Sequence, residues 1–383
     1  MLSAVAAREN CQTCEYRSIA ETLTRRQLNR ATLARQLLLR REEISCVEAV
    51  ERLCGLQAQE AKPPFLGLWT RVEGFRPEHL HEALHGRRVV RATLMRATLH
   101  LFAAGDYLAF RPALQPVLTQ AMRVLGARAE RLELERLLPA ARALLDEKAR
   151  TFTELRALLQ EAFPAVNDRA LGYAVRTQLP LAMVPTADRW AFPSVAEFVL
   201  AETWLGEPLG EDRGPRDLVL RYLAAFGPAS AADAQTWSGL RGLKGALDGL
   251  RPELRVFRDE RGRELFDILE APRPDEDVPA PARFLPEFDN LVLSHADRTR
   301  LLEDEHRSSV VTKNLRVRAT FLLDGFVSGT WGVERAKRAA TLRLVPFEPL
   351  SAGAVDELVA EGEALLRLVE PDAGRLSVVL DSR

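Results

Sequence analysis

One pattern constrains this chain more than any other: helical periodicity gives way to a short alternating stretch, and it does so three times. In the first pass, residues 27–43 place Leu28, Leu33, Leu37 and Leu38 on one stripe, ringed by Arg26, Arg30, Arg35, Arg40 and Arg41. Residues 46–56 repeat that spacing with Val47, Val50, Leu53 and Leu56, residues 64–73 suit a further helical stretch, and Pro77 opens a helix over 77–85. The period then drops to two: Val89, Arg91, Thr93 and Met95 alternate with Val90, Ala92, Leu94 and Arg96, and residues 98–102 stay extended. In the second pass, helical segments over 115–150, 152–162 (introduced by Thr153) and 168–178 precede alternation over 181–192, with a turn at 185–188. In the third, helices over 216–225, 231–237 (capped by Ser230) and 240–249 precede a hairpin, 254–257 with 265–269. Helices followed by a two-stranded element is the order of a winged helix.

The expected fold is therefore mainly α with α+β parts: three tandem winged-helix domains over 21–112, 113–200 and 213–272. A linker rich in Pro, Asp and Glu (271–282) leads to a small C-terminal α+β domain over 282–383, where Asp324-Gly325 signals a hairpin and 350–369 a helix. Residues 1–20 read as an N-terminal extension. A length of 383 residues agrees with several cores rather than one.

Composition removes several function classes. No apolar run reaches the length of a membrane span, and the first 30 residues lack a signal-peptide core, so a cytoplasmic protein without membrane contact is expected. The cysteines lie at 11, 14, 46 and 54; a zinc site would need a second matched pair beside Cys11 and Cys14, and ordinary thiols are expected. His79, His81 and His85 do not share a helical face, and neither a P-loop nor a His-Glu-x-x-His motif is present, so no metal or nucleotide cofactor is expected. A net charge of −1 argues against a protein that coats nucleic acid by bulk attraction. Yet 48 of the 53 cationic residues are arginines, the side chain best suited to phosphate forks and base edges. A GC-rich genome gives the same bias.

Gln57 and Gln59 are the first chemical candidates. If the segment before Pro63-Pro64 is extended, residues two apart share a side, and two carboxamides converge on one point. Together they can hold and orient a water, though neither takes a proton strongly. Glutamines also end helices with no further role. His100, near the end of an extended run that also carries Arg91 and Arg96, faces either a cleft or the interior. Ser294-His295-Ala296-Asp297-Arg298 is too compressed for a hydrolase triad. It reads either as an Asp–Arg pair at a domain junction or as a nucleic-acid contact through His295 and Arg298. Arg316 and Arg318, with Lys313, Arg300 and Arg307 nearby, form a basic stretch that grips phosphates or is simply solvated.

Four stretches carry a family resemblance: "LCGLQAQEAKPPFLGLW", "VVRATLMRATLHLFAAGDY", "FLPEFDNLVLSHADR" and "FLLDGFVSGTW". In this order they resemble the AlkZ-like winged-helix DNA glycosylases. The resemblance implies a monomeric, monofunctional hydrolase that embraces double-stranded DNA, excises purines alkylated at N7 or N3 and, in some members, unhooks interstrand crosslinks. It implies that Gln57 and Gln59 position the water, without a cofactor, and that Arg91, Arg96, His100, His295, Arg298, Arg316 and Arg318 are candidates for DNA contact. Relatives with Asp at the second glutamine position have a general base; Gln59 departs from that branch. The alternative is a non-catalytic winged-helix DNA-binding protein or transcriptional regulator.

Overall fold

The computed structural model describes residues 21–314 and 316–381. The 1–20 extension, with Cys11 and Cys14, lies outside the described residues.

Capping residues set most helix starts. Strand β1 (Thr22–Leu23) runs into α1 (Arg25–Arg35), which Thr24 and Gln27 open as a reciprocal capping box. Then follow α2 (Cys46–Arg52), capped by Ser45, β2 (Leu56–Gln57), α3 (Pro63–Trp69), α4 (Pro77–His85), β3 (Val89–Thr93) and β4 (Leu99–Ala103). The chain continues through α5 (Ala104–Phe110), α6 (Gln115–Ala121), α7 (Leu134–Glu147), β5 (Arg150–Thr151), α8 (Phe152–Ala162), α9 (Asp168–Gln178), β6 (Leu181–Met183) and β7 (Glu197–Leu200). After α10 (Ala201–Leu205) come α11 (Arg216–Phe226), α12 (Ala231–Ser238), α13 (Leu243–Leu250), β8 (Leu254–Asp259) and β9 (Glu264–Ile268). The C-terminal part holds β10 (Arg283–Leu285), α14 (Asn290–Leu293), α15 (Arg307–Val310), β11 (Thr320–Leu323), β12 (Phe326–Ala336), β13 (Ala339–Pro346), α16 (Ala352–Val369) and β14 (Arg375–Leu380).

The architecture is mixed helix and sheet. A six-stranded sheet has the order β2-β4-β3-β6-β7-β5, a five-stranded sheet runs β10 to β14 in sequence order, and a small sheet joins β1, β8 and β9. The six-stranded sheet crosses the division expected at residue 112, because Ala92 of β3 pairs with Ala182 of β6. The apolar core beneath it crosses too, running from Leu37 and Val50 to Val175 and Leu200. A second core joins Phe102, Tyr107 and Leu114 to Tyr222, Phe226 and Trp237.

Several elements differ from the sequence expectation. Helix α1 stops at Arg35 because Leu37 adopts a left-handed φ of 56°. The span expected as helix over 115–150 breaks at 3₁₀ turns over 122–129, where Gly126 sits at φ 51°. The partner of β6 is β7 and not residues 190–192, so a long loop replaces the tight hairpin expected there. Helix α8 is capped by Thr151, not Thr153.

The arginines around the α1 stripe also differ: two of them turn inward. Arg35 forks onto Asp267 of β9 at 2.6 and 2.8 Å, with both side chains buried. Arg30 pairs with Asp324 in the β11–β12 turn, and Asn29 donates to the carbonyls of Arg300 and Gly325, each at 2.8 Å. Helix α1 is thus the strut that ties the third helical unit to the C-terminal sheet. Gly325, at φ 82°, lies so close to it that a Cβ would sit 2.5 Å from Leu33.

Candidate active site

The site grows from the chain reversal after α2. Gly55 adopts φ 82°, and a Cβ there would lie 2.0 Å from the Phe102 ring, so a side chain is excluded by conformation and by space. The reversal launches β2 in extended form, with Leu56 opposite Leu101 and Gln57 opposite His100 on β4. One residue further, Ala58 N–H donates to the Leu99 carbonyl at 2.7 Å. Pro63 and Pro64 at the start of α3 keep helix from spreading back into the segment. Leu56 and Ala58 are buried in the core, so alternation turns Gln57 and Gln59 to the other side.

The two amides sit at different depths. Gln57 is 7% exposed, and its Oε1 accepts from Arg96 Nη2 at 2.7 Å. Gln59 is exposed; its Oε1 accepts a long 3.4 Å bond from Leu99 N–H. It forms part of the wall of a cleft of about 490 Å³, with Arg91, Phe152, Arg176, Phe192 and Phe198 among its other walls.

Arg96 holds the inner half. It occupies the β3–β4 turn at φ 53°, a left-handed conformation strained for arginine, and Ala97 follows at 57°. From there its guanidinium donates to the Trp237 carbonyl at the end of α12 and to Gln57, and reaches His100 Nε2 at 3.5 Å. Burial, and then the neighbouring Arg298 charge, lower Arg96 to about 10. His100 is fully buried; Nδ1–H donates to the Thr98 carbonyl at 3.0 Å, which leaves Nε2 as the acceptor. Burial, followed by Arg96, holds its pKa near 3, so the imidazole is neutral at physiological pH.

Arg91 is also an internal brace. Its donors go to the carbonyls of Ala58 (2.9 Å) and Gln59 (3.1 Å), and its guanidinium stacks over Phe192 at 4.8 Å. It fixes the backbone that carries both glutamines while lining the cleft beside Gln59.

The segment 286–300 supplies a second shell of braces. Asn290 donates to the Gly55 carbonyl at 3.0 Å. Asp289 forks onto Arg71 at 2.8 and 2.9 Å in full burial, and Arg71 also donates to the Gln36 carbonyl. Sequence reasoning did not single out Arg71, Asp289 or Asn290 as parts of the site. The stretch "FLPEFDNLVLSHADR" contains Asp289 and Asn290, whereas nothing in the sequence marks Arg71 as the partner of Asp289.

His295 does not reach a surface. It is 1% exposed, its Nε2 donates to the Phe226 carbonyl at 3.0 Å, and its Nδ1 lies 2.9 Å from Ser294 Oγ. Burial lowers its pKa strongly, and the nearby Asp233 carboxylate only partly opposes this. The expectation of DNA contact at His295 is corrected: the ring is consumed in locking α11 to the C-terminal unit. Asp297 pairs with Arg261 and Arg263, the junction role weighed for it.

Arg298 is placed differently. It is half-buried, and its Nε and Nη1 are buried with no partner among the described residues. A guanidinium with unspent donors beside a second cation suits an anion. Arg316 is exposed and forks onto Glu287 at 2.9 and 3.1 Å, while Arg318 is exposed on the same stretch. Both belong to the rim rather than to the glutamine pair.

Chemically, the arrangement offers one open carboxamide, one internal carboxamide held by the Arg96 guanidinium, and aromatic walls beside the open one. It can orient a water against a carbon whose leaving group departs without acid assistance.

Comparison with known proteins agrees in extent and in fold. A curated "Interstrand DNA cross-link repair glycosylase" from Streptomyces sahachiroi is 25% identical over 340 residues, 80% of this chain and 87% of that protein. The solved structure of Streptomyces sahachiroi DNA glycosylase AlkZ superposes with a TM-score of 0.76 at 22% identity, covering 94% of this chain and all of the other. The family model described as DNA glycosylase AlkZ-like matches residues 50–368, from the helix before the glutamine pair to the end of α16, and the chain therefore belongs to the AlkZ-like DNA glycosylase family.

Proposed function

We propose that this chain is a monofunctional DNA glycosylase that hydrolyses the N-glycosidic bond of purines alkylated at N7 or N3, with Gln59 and Gln57 positioning the attacking water. The observation that carries the reading is the β2 segment itself. Gln59 lines the cleft, and Gln57, two residues earlier in the same extended segment, is held by Arg96, which supports a shared role for the two carboxamides. An N7-alkylated purine already bears positive charge, so the bond to the sugar is weak and a positioned water can attack without acid assistance to the leaving base. The curated relative's title names interstrand cross-link repair, and bulky N7-linked crosslinks are a natural extension of the substrate range.

The partner is double-stranded DNA. The exposed part of half-buried Arg298 meets the phosphodiester next to the lesion, and exposed Arg316 and Arg318 meet flanking phosphates. Three winged-helix units, over 21–112, 113–200 and 213–272, serve as a scaffold for grasping the duplex, and 282–383 closes the site behind the glutamines. Among the described residues no helix is long and apolar enough to cross a membrane.

The test is base release. Purified protein is incubated with duplexes carrying 7-methylguanine, 3-methyladenine or an N7-linked crosslink, and free base and abasic sites are measured. Release from at least one substrate is expected. Tight binding with no release from any of them would point to a DNA-binding protein without catalysis.

A further inference from the structure

As the base leaves, the sugar becomes an oxocarbenium-like cation, so the site needs a negative group facing C1′. Cations crowd this region: Arg91 and Arg176 line the cleft with Gln59, and Arg96, with Arg298 nearby, holds Gln57. Glu60 follows Gln59 directly. Among the described residues it is the carboxylate on the wall of the 490 Å³ cleft, and it also lines the adjoining cleft formed with Lys62, Glu287, Arg316 and Trp331. Glu287, the other carboxylate of that second cleft, is committed to Arg316. Glu60 is exposed and makes no ion pair or side-chain hydrogen bond among the described residues.

We propose that Glu60 is a catalytic residue: its carboxylate faces the developing sugar cation and takes the proton of the water that Gln59 orients. This rests on the glycosylase reading above. In the step, the C1′–N bond breaks and its electron pair goes to the purine, which becomes a neutral alkylated base. The water oxygen forms a bond to C1′, and its proton passes to Glu60, giving the 1′-hydroxyl. The charged groups facing Glu60 are Arg91 on β3, Arg176 on α9, Lys62 on its own segment and the Glu287–Arg316 pair.

The experiment uses the full chain and a 7-methylguanine duplex under single turnover, comparing wild type, Glu60→Gln and Glu60→Asp, with DNA affinity and melting temperature measured for each. Glu60→Gln is expected to slow release by about 100-fold, in the range of a lost proton acceptor. DNA affinity should be unchanged or tighter, since a negative charge leaves a surface that meets phosphates. The wild-type rate should fall on acidification as the carboxylate protonates, Glu60→Gln should lose that limb, and Glu60→Asp should keep it with a partial rate. Release by Glu60→Gln within threefold of wild type (a margin of about 0.7 kcal/mol), with the same acid limb, overturns the assignment while leaving the glycosylase reading intact. A slower variant that also loses affinity and keeps the acid limb overturns it as well. No release by wild type from any lesion overturns both.

Discussion

Replacing Arg96 with methionine separates a functional brace from a structural one. The wild-type guanidinium donates to the Trp237 carbonyl and to Gln57 Oε1 at 2.7 Å, and its partners among the described residues are neutral acceptors. Two charge-assisted hydrogen bonds stabilise by about 1.5–3 kcal/mol each, so their loss costs about 3–6 kcal/mol. Against this, methionine removes a largely desolvated cation that no carboxylate offsets, and that burial costs several kcal/mol per ion, roughly the same amount. The net change in stability is therefore within about 2 kcal/mol, a shift of a few degrees in melting temperature. Activity should not be spared. Gln57 loses the bond that aims it, and misplacement of about 1 Å costs about 100-fold in rate. The assay is single-turnover release of 7-methylguanine beside differential scanning calorimetry. A drop of 10 °C or more (about 3 kcal/mol or more for a chain this size) with the rate per folded molecule unchanged would refute the reasoning, because Arg96 would then serve stability alone. His100 gives an independent readout: without the Arg96 charge its imidazole should titrate above its present value of about 3, visible by NMR.

Three further outcomes follow from the same geometry. Gly55→Ala forces a side chain into the Phe102 ring at φ 82° and should destabilise the fold by about 2–4 kcal/mol, measured by urea unfolding. Arg71→Met strands the buried Asp289 carboxylate and should cost about 3–5 kcal/mol, whereas Arg71→Met with Asp289→Leu should recover most of that loss. Between pH 6.5 and about 3 the unfolded chain binds a proton at His100 that the folded chain refuses. Stability should therefore fall as pH falls through that window, by about 1.4 kcal/mol per unit from this group, with His295 adding in the same direction; a melting temperature flat from pH 7 to 5 would contradict it.

Local chemistry carried much of the fold into the sequence. The helices 77–85, 152–162 and 168–178 were legible to the residue from their periodicity and, for the first, from Pro77, even though the cap of 152–162 lies two residues before the one the sequence suggested. The hairpin at Asp324-Gly325 was legible from its turn residues. What was hidden depends on distant partners. Arg30 and Arg35 look like a solvated rim until Asp324 and Asp267, some 300 and 230 residues away, arrive to pair them. The β6–β7 pairing spans a long loop that no turn signal announces. In the site, the alternation of Gln57 and Gln59 followed from the double proline and the strand spacing, but their unequal depth did not, because it depends on the Arg96 turn and on α12. His100 and His295 were offered as surface contacts, and backbone carbonyls that only the tertiary fold brings near hold both inside.

The most direct measurement of the central claim is single-turnover excision by the Gln57→Ala/Gln59→Ala double variant on a duplex it still binds. The account predicts release at least about 100-fold slower than wild type, since no carboxamide then orients the water, with the dissociation constant for DNA little changed. Excision at the wild-type rate by a folded, DNA-bound double variant would contradict it.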